Sequence, residues 1–109
     1  MKSHASIDRR SLALGQAVAA RLRDDPALIQ RGRATLARWL TTCSPQVRPA
    51  LLEWEAALQP PVSHVLELLT GTSERAVRLR QSNPFAGVLS PRERTAILKE
   101  HAAYDEASA

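Results

Sequence analysis

The sequence predicts an all-α fold, a compact single-domain bundle of five or six short helices that spans residues 1–109. Apolar residues recur at three- and four-residue spacing, and no stretch shows the two-residue alternation typical of a strand. Asp-Pro, Ser-Pro and Pro-Pro dipeptides divide the chain into short segments. Hydrophobic residues make up 44% of the 109 residues, which is enough for a modest core.

The first two helices meet at Asp24-Asp25-Pro26. We expect residues 1–5 to be frayed and the first helix to begin at Ser6. Asp25 can accept hydrogen bonds from the free N–H groups of the next helix, and Pro26 has no N–H to leave unpaired in its first turn. The second helix should extend to about Thr42. Its predicted buried face consists of Leu28, Ile29, Gly32, Leu36, Trp39, Leu40 and Cys43.

The third helix should begin near Arg48, after Ser44-Pro45, and end before Pro60. Its apolar face is Val47, Leu51, Trp54 and Leu58. A fourth, short helix ends at Gly71.

A fifth, basic helix follows from Ser73 to about Ser82. Ser90 and Glu93 have the spacing of a capping box and therefore mark the start of the last helix. That helix carries Ile97, Leu98 and Tyr104, and we expect residues 103–109 to be frayed.

Charge is distributed in blocks along the chain. The net charge is +4, and the first 48 residues carry nine basic and three acidic side chains. Arg outnumbers Lys thirteen to two, which suits bidentate contacts to phosphate or carboxylate, although a GC-rich genome would also enrich Arg. Such a chain could bind nucleic acid or an acidic protein.

The sequence offers little for catalysis. Its three His residues do not have metal-ligand spacing, it has no Gly-rich phosphate loop, and a single Cys excludes an internal disulfide. We therefore expect no enzyme activity, no cofactor and no metal. The N-terminus lacks the apolar region of a signal peptide and no stretch is long enough to span a membrane, which predicts a cytoplasmic protein without a membrane partner.

The segment Leu68–Arg80 resembles the turn and recognition helix of helix-turn-helix DNA-binding proteins. Gly71, Ser73 and Val77 match the turn, the cap and the packing position of that family. The resemblance implies that Arg75, Arg78 and Arg80 contact phosphate or guanine edges, with Ser73 at the start of the helix. Two positions depart from the family pattern, since Glu67 replaces a small residue and Arg80 an apolar one.

A second segment, Arg80–Arg94, is similar to a signature of small bacterial antitoxin-like proteins. That resemblance implies a non-enzymatic protein that neutralises a toxin encoded by an adjacent gene by covering its surface. DNA binding would be an alternative or companion activity, and a homo-oligomer is an open possibility.

The residues of this segment allow two interpretations. Phe85, Val88 and Leu89 could form an exposed apolar anchor for a partner protein, with Arg80, Arg92 and Arg94 as its charged surround. Alternatively, the three apolar side chains fold back as a lid on a core that has few aromatic residues.

Overall fold

The computed structural model describes the backbone of residues 4–108 and the side chains of residues 7–85 and 87–101. The Tyr104 side chain lies outside these. The six α-helices are α1 (His4–Asp24), α2 (Ile29–Thr42), α3 (Arg48–Ala57), α4 (Ser63–Thr70), α5 (Glu74–Leu79) and α6 (Pro91–Ser108). Short 3-10 helices cover Pro26–Leu28, Arg80–Ser82 and Ala86–Val88. The described backbone contains no strand, and the predicted all-α bundle is confirmed.

The helix starts lie where the capping residues predict them. Asp25 Oδ1 accepts a hydrogen bond from the Ala27 N–H at 3.2 Å, although the capped segment is a 3-10 turn and α2 proper begins at Ile29. Ser90 and Glu93 form the reciprocal capping box of α6, with N···O distances of 3.1 and 3.2 Å. These bonds satisfy N–H groups that have no partner within the helix.

The ends of the bundle differ from the sequence-based expectation. Helix α1 begins at His4 rather than Ser6, and α6 continues to Ser108, past residue 103 where we expected fraying. Residues 100–108 contain several Ala and Glu, which have high helix propensity, and no Gly or Pro to interrupt the helix.

Helix α1 lies at the centre of the bundle, in contact with α4, α5 and α6, while α2 packs against α3. Trp54 of α3 is fully buried, and its indole N–H donates a hydrogen bond to the Leu79 carbonyl at 2.8 Å. The Phe85 ring meets the Trp54 ring edge to face, with centroids 6.3 Å apart. Both rings are therefore held in geometries that are favourable for buried aromatic residues.

Gly32 allows Phe85 to reach the core. A Cβ atom placed at Gly32 would lie 2.5 Å from Cζ of the Phe85 ring and 2.9 Å from Cδ1, closer than a carbon atom can approach. The ring therefore occupies the space that any other residue at position 32 would fill. This contact fixes the loop around Phe85 against α2.

Two predicted core residues, Trp39 and Val47, are at the surface. Their exposed fractions are 36% and 42%, whereas Leu36, three residues before Trp39, and Leu51, four residues after Val47, are buried. Trp39 and Val47 line an open cavity at the end of α2, together with Gln81 and Ser82, so this face of the helix is not fully covered. The prediction that both side chains are buried was wrong for this reason.

The Gly32–Phe85 contact predicts that Gly32→Ala destabilises the protein by about 1–3 kcal/mol, the usual cost of overpacking. In an open helix the same change would stabilise by about 1 kcal/mol, since Ala is the better helix former. Denaturant unfolding measures the difference. Gly87→Ala is the matched control, because its added Cβ would have no atom within 4 Å apart from those of Gly87 and its two chain neighbours. The contact is contradicted if the Gly32→Ala protein is at least as stable as wild type. It is also contradicted if Gly32→Ala lowers the free energy of unfolding by the same amount in a Phe85→Leu background.

Candidate protein-binding surface

The apolar anchor predicted around Phe85 is part of the core. Phe85 is 0% exposed, and Val88 and Leu89 are also buried. The ring fills the space between Gly32 and Trp54, and Asn83 Oδ1 accepts a hydrogen bond from the Phe85 N–H at 2.8 Å. The three side chains therefore fold back on the core, as the lid interpretation predicts. Their assignment as an exposed protein-binding anchor is wrong, because removing them from the core would open it.

Arg80, a candidate for both protein and DNA binding, is 4% exposed. Its Nη1 donates hydrogen bonds to the carbonyls of Leu68 and Gly71, at 2.9 and 2.7 Å. Burial lowers the pKa of its guanidinium from the ordinary value, and the Asp8 carboxylate raises it in part. Arg80 thus caps the C-terminal end of α4, where a cation also interacts favourably with the helix dipole. It cannot contact a partner protein or DNA from this position.

The other DNA-binding candidates lie on or next to α5. The Ser73 hydroxyl accepts a hydrogen bond from the Ala76 N–H at 3.1 Å and so acts as the predicted cap. Arg78 forms a bidentate pair with Glu53 of α3 at 2.7 and 3.1 Å, and Arg75 lies 3.7 Å from the same carboxylate. The hydrogen bond from Arg78, aided by the charges of both arginines, lowers the pKa of Glu53. Both exposed arginines are therefore paired within the chain.

Gly71 makes the turn before α5 without a left-handed conformation. Its φ and ψ are −78° and 164°, which any residue can adopt. A Cβ atom there would lie 2.5 Å from the Glu67 carbonyl oxygen, so close approach of the backbone is what requires glycine. Helix α5 has only six residues.

Arg92 and Arg94 lie in the first turns of α6, and both are exposed. Between them Glu93 pairs with Arg21 of α1, and its pKa is lowered first by the Ser90 N–H and then by Arg21. Since Phe85 and Arg80 are inside the protein, the structure does not bring the six predicted protein-binding residues together on one surface.

An apolar groove, which we call the Trp39 groove, lies between the end of α2 and the start of α3. It has a volume of about 330 Å³. Its lining surface is mostly apolar and includes hydroxyl and amide side chains: Trp39, Thr42, Cys43, Ser44, Val47, Leu51, Gln81 and Ser82. An exposed Trp beside an open apolar groove is typical of a binding surface.

A second, basic cavity, the Arg31 notch, lies nearer the N-terminal end of α2 and has a volume of about 210 Å³. Arg31, Thr35 and Arg38 line it on the helix side. Pro84, Gly87 and Val88 line it on the loop side. The Arg31 guanidinium donates a hydrogen bond to the Gly87 carbonyl at 3.0 Å, which ties the loop to the helix.

Both cavities lie where α2 meets the segment Gln81–Val88, and we call this surface the α2 seam. Residues 26–52 contain four arginines and no Asp, Glu or Lys, so the helix side of the seam is basic. The segment Arg80–Arg94, which contains Gln81–Val88, was singled out from the sequence, but Arg31 and Arg38 were not, and Trp39 was predicted to be buried. The acid-free run was the signal that could have indicated them.

The described part of the chain does not support a metal site or a membrane span. These residues include no group of three or more His, Cys, Asp or Glu placed to hold a metal ion. None of the described helices combines the length and apolar composition that a membrane span requires.

The role of Arg80 as a cap predicts that Arg80→Met lowers the free energy of unfolding by about 1–3 kcal/mol, because the Leu68 and Gly71 carbonyls lose their donor. Arg78→Met, which removes an exposed guanidinium two positions earlier, should leave the melting temperature unchanged. Thermal unfolding of the two variants makes the comparison. Equal stability of the Arg80→Met protein and wild type would refute the capping role.

Comparisons with known proteins give no match for this chain. No family model, no curated protein and no solved structure matches it. The geometry and charge of the α2 seam are therefore the basis for a functional proposal.

Proposed function

We propose that this chain is a non-enzymatic protein-binding module that holds an apolar part of a partner protein in the Trp39 groove. The observation that carries the proposal is Trp39, which is 36% exposed and lines an apolar cavity. Trp is among the residues that contribute most to binding when an interface covers it. Burying its ring on association would release water from a large apolar surface.

The groove has the composition of a small interface centre. Val47 and Leu51 contribute apolar surface, and Thr42, Ser44 and Gln81 contribute polar groups to the same lining. Protein interfaces likewise combine apolar contacts with hydrogen-bonding groups. A volume of about 330 Å³ accommodates one or two large side chains, so the groove suits a short segment of a partner.

The resemblance of Arg80–Arg94 to antitoxin-like proteins supports a specific kind of partner. We propose that it is a toxin encoded by an adjacent gene, and that binding blocks the toxin by covering its surface. Gln81 and Ser82 belong to this segment and line the groove. Phe85 contributes indirectly, since its burial fixes the segment against α2.

Trp39→Ala should weaken binding to the adjacent gene product at least 30-fold, the effect of removing a dominant interface residue, at a temperature where the variant is folded. Co-purification and calorimetry with that product measure the loss. Leu52→Ala is the matched control, because Leu52 is a 43% exposed apolar residue that does not line the groove. If Trp39→Ala binds as tightly as wild type, or Leu52→Ala is equally impaired, the groove is not the binding surface.

DNA binding through α5 is the second candidate. Arg75 and Arg78 are exposed next to a capped helix start, and ion pairs between exposed groups contribute little stability. A DNA phosphate could therefore replace Glu53 as their partner. Arg80 does not take part in this candidate interface, because it is buried.

If α5 binds DNA, Glu53→Gln should strengthen binding to duplex DNA, because it removes the carboxylate that competes for Arg75 and Arg78. Arg75→Gln with Arg78→Gln should weaken it and reduce its dependence on salt. Mobility shifts with the chain's own promoter and with random duplex, at several salt concentrations, provide the measurement. A wild-type protein that shifts neither duplex at low salt excludes this candidate.

A further inference from the structure

We infer that the segment bound in the Trp39 groove is acidic, and that one of its carboxylates lies in the Arg31 notch. This inference rests on the proposed function, because a single partner segment would occupy both cavities of the α2 seam. It adds the chemistry of the partner: an apolar side chain at one position, and an Asp or Glu side chain at a defined distance from it.

The guanidinium groups of the notch are held in place but keep free donors. Arg31 Nη2 donates to the Gly87 carbonyl at 3.0 Å, and Arg38 Nη2 lies 3.4 Å from the Thr35 hydroxyl. Each guanidinium has five N–H donors, so these bonds leave most of them available. Two such groups and a hydroxyl can hold a carboxylate by several hydrogen bonds at once.

The surroundings of the notch favour an anion. Residues 26–52 contain no Asp or Glu, so neither α2 nor the turn after it supplies a carboxylate to neutralise Arg31 and Arg38. Pro84 and Val88 form an apolar wall on the opposite side. A charge pair against an apolar wall is less screened by water than one on an open surface.

The two cavities follow one another along one face of α2, since Thr35 of the notch and Thr42 of the groove are seven residues, or about two turns, apart. With a rise of about 1.5 Å per helical residue, these positions are roughly 10 Å apart. The carboxylate and the apolar side chain of the partner should therefore be about three residues apart in an extended segment, or about two turns apart in a helix.

A library of short random peptides, selected on the full chain, tests this chemistry without a known partner. We expect the selected peptides to combine a large apolar residue with an Asp or Glu at one of these spacings. Synthetic copies should lose affinity as salt increases. Arg31→Gln combined with Arg38→Gln should weaken their binding roughly tenfold, the effect of losing a partly desolvated charge pair. The matched control Arg23→Gln, which removes an exposed charge of α1 outside both cavities, should have no effect.

The outcomes separate this inference from the proposed function. Some peptides could require Trp39 but lack acidic residues, or bind the double Arg variant as tightly as wild type. Either result would overturn the inference that the partner segment is acidic, while binding in the Trp39 groove would still stand. If no selected peptide depends on Trp39, the proposed function fails as well. Sedimentation at increasing protein concentration tests whether a second copy of the chain occupies the groove. Self-association that Trp39→Ala abolishes would show that the chain fills its own groove and would overturn both.

Discussion

The candidate surface depends on the packing of the Phe85 ring into the space that Gly32 leaves open by lacking a side chain. This packing joins two regions far apart in the sequence, and any side chain at position 32 would occupy the space of the ring. The Trp54 ring on one side and the Asn83 hydrogen bond on the other hold Phe85 in that position. Because the ring is fixed, Gln81–Val88 lies along α2 and the two cavities of the seam form beside it.

Arg80 provides the second attachment of the same segment. Its hydrogen bonds to the end of α4 join this segment to the α4–α5 half of the bundle. The segment Arg80–Leu89 thus has two kinds of residue. Arg80, Phe85, Val88 and Leu89 stabilise the fold, whereas Gln81, Ser82, Pro84 and Gly87 line the cavities. In the proposed function the first set positions the second.

Features that depend on neighbouring residues could be predicted from the sequence. Asp25, Ser73 and Ser90 cap helix starts as expected, because a cap involves only the next two or three residues. The burial of Phe85 and Arg80 could not be derived in this way, since it depends on carbonyls and a glycine brought near by helix packing. Periodicity placed Trp39 on the buried face of α2, but it cannot show where the covering elements end.

The two tryptophans allow a direct test of whether the α2 seam is the binding surface. Trp39 is exposed in the groove, while the Trp54 indole is buried and bonded to Leu79. In NMR titration of nitrogen-labelled protein with a selected acidic peptide, the Trp39 indole N–H and the amides of Gln81 and Gly87 should shift, and the Trp54 indole should not. Shifts centred on α5, with the Trp39 indole unchanged, would show that the peptide does not bind to the α2 seam.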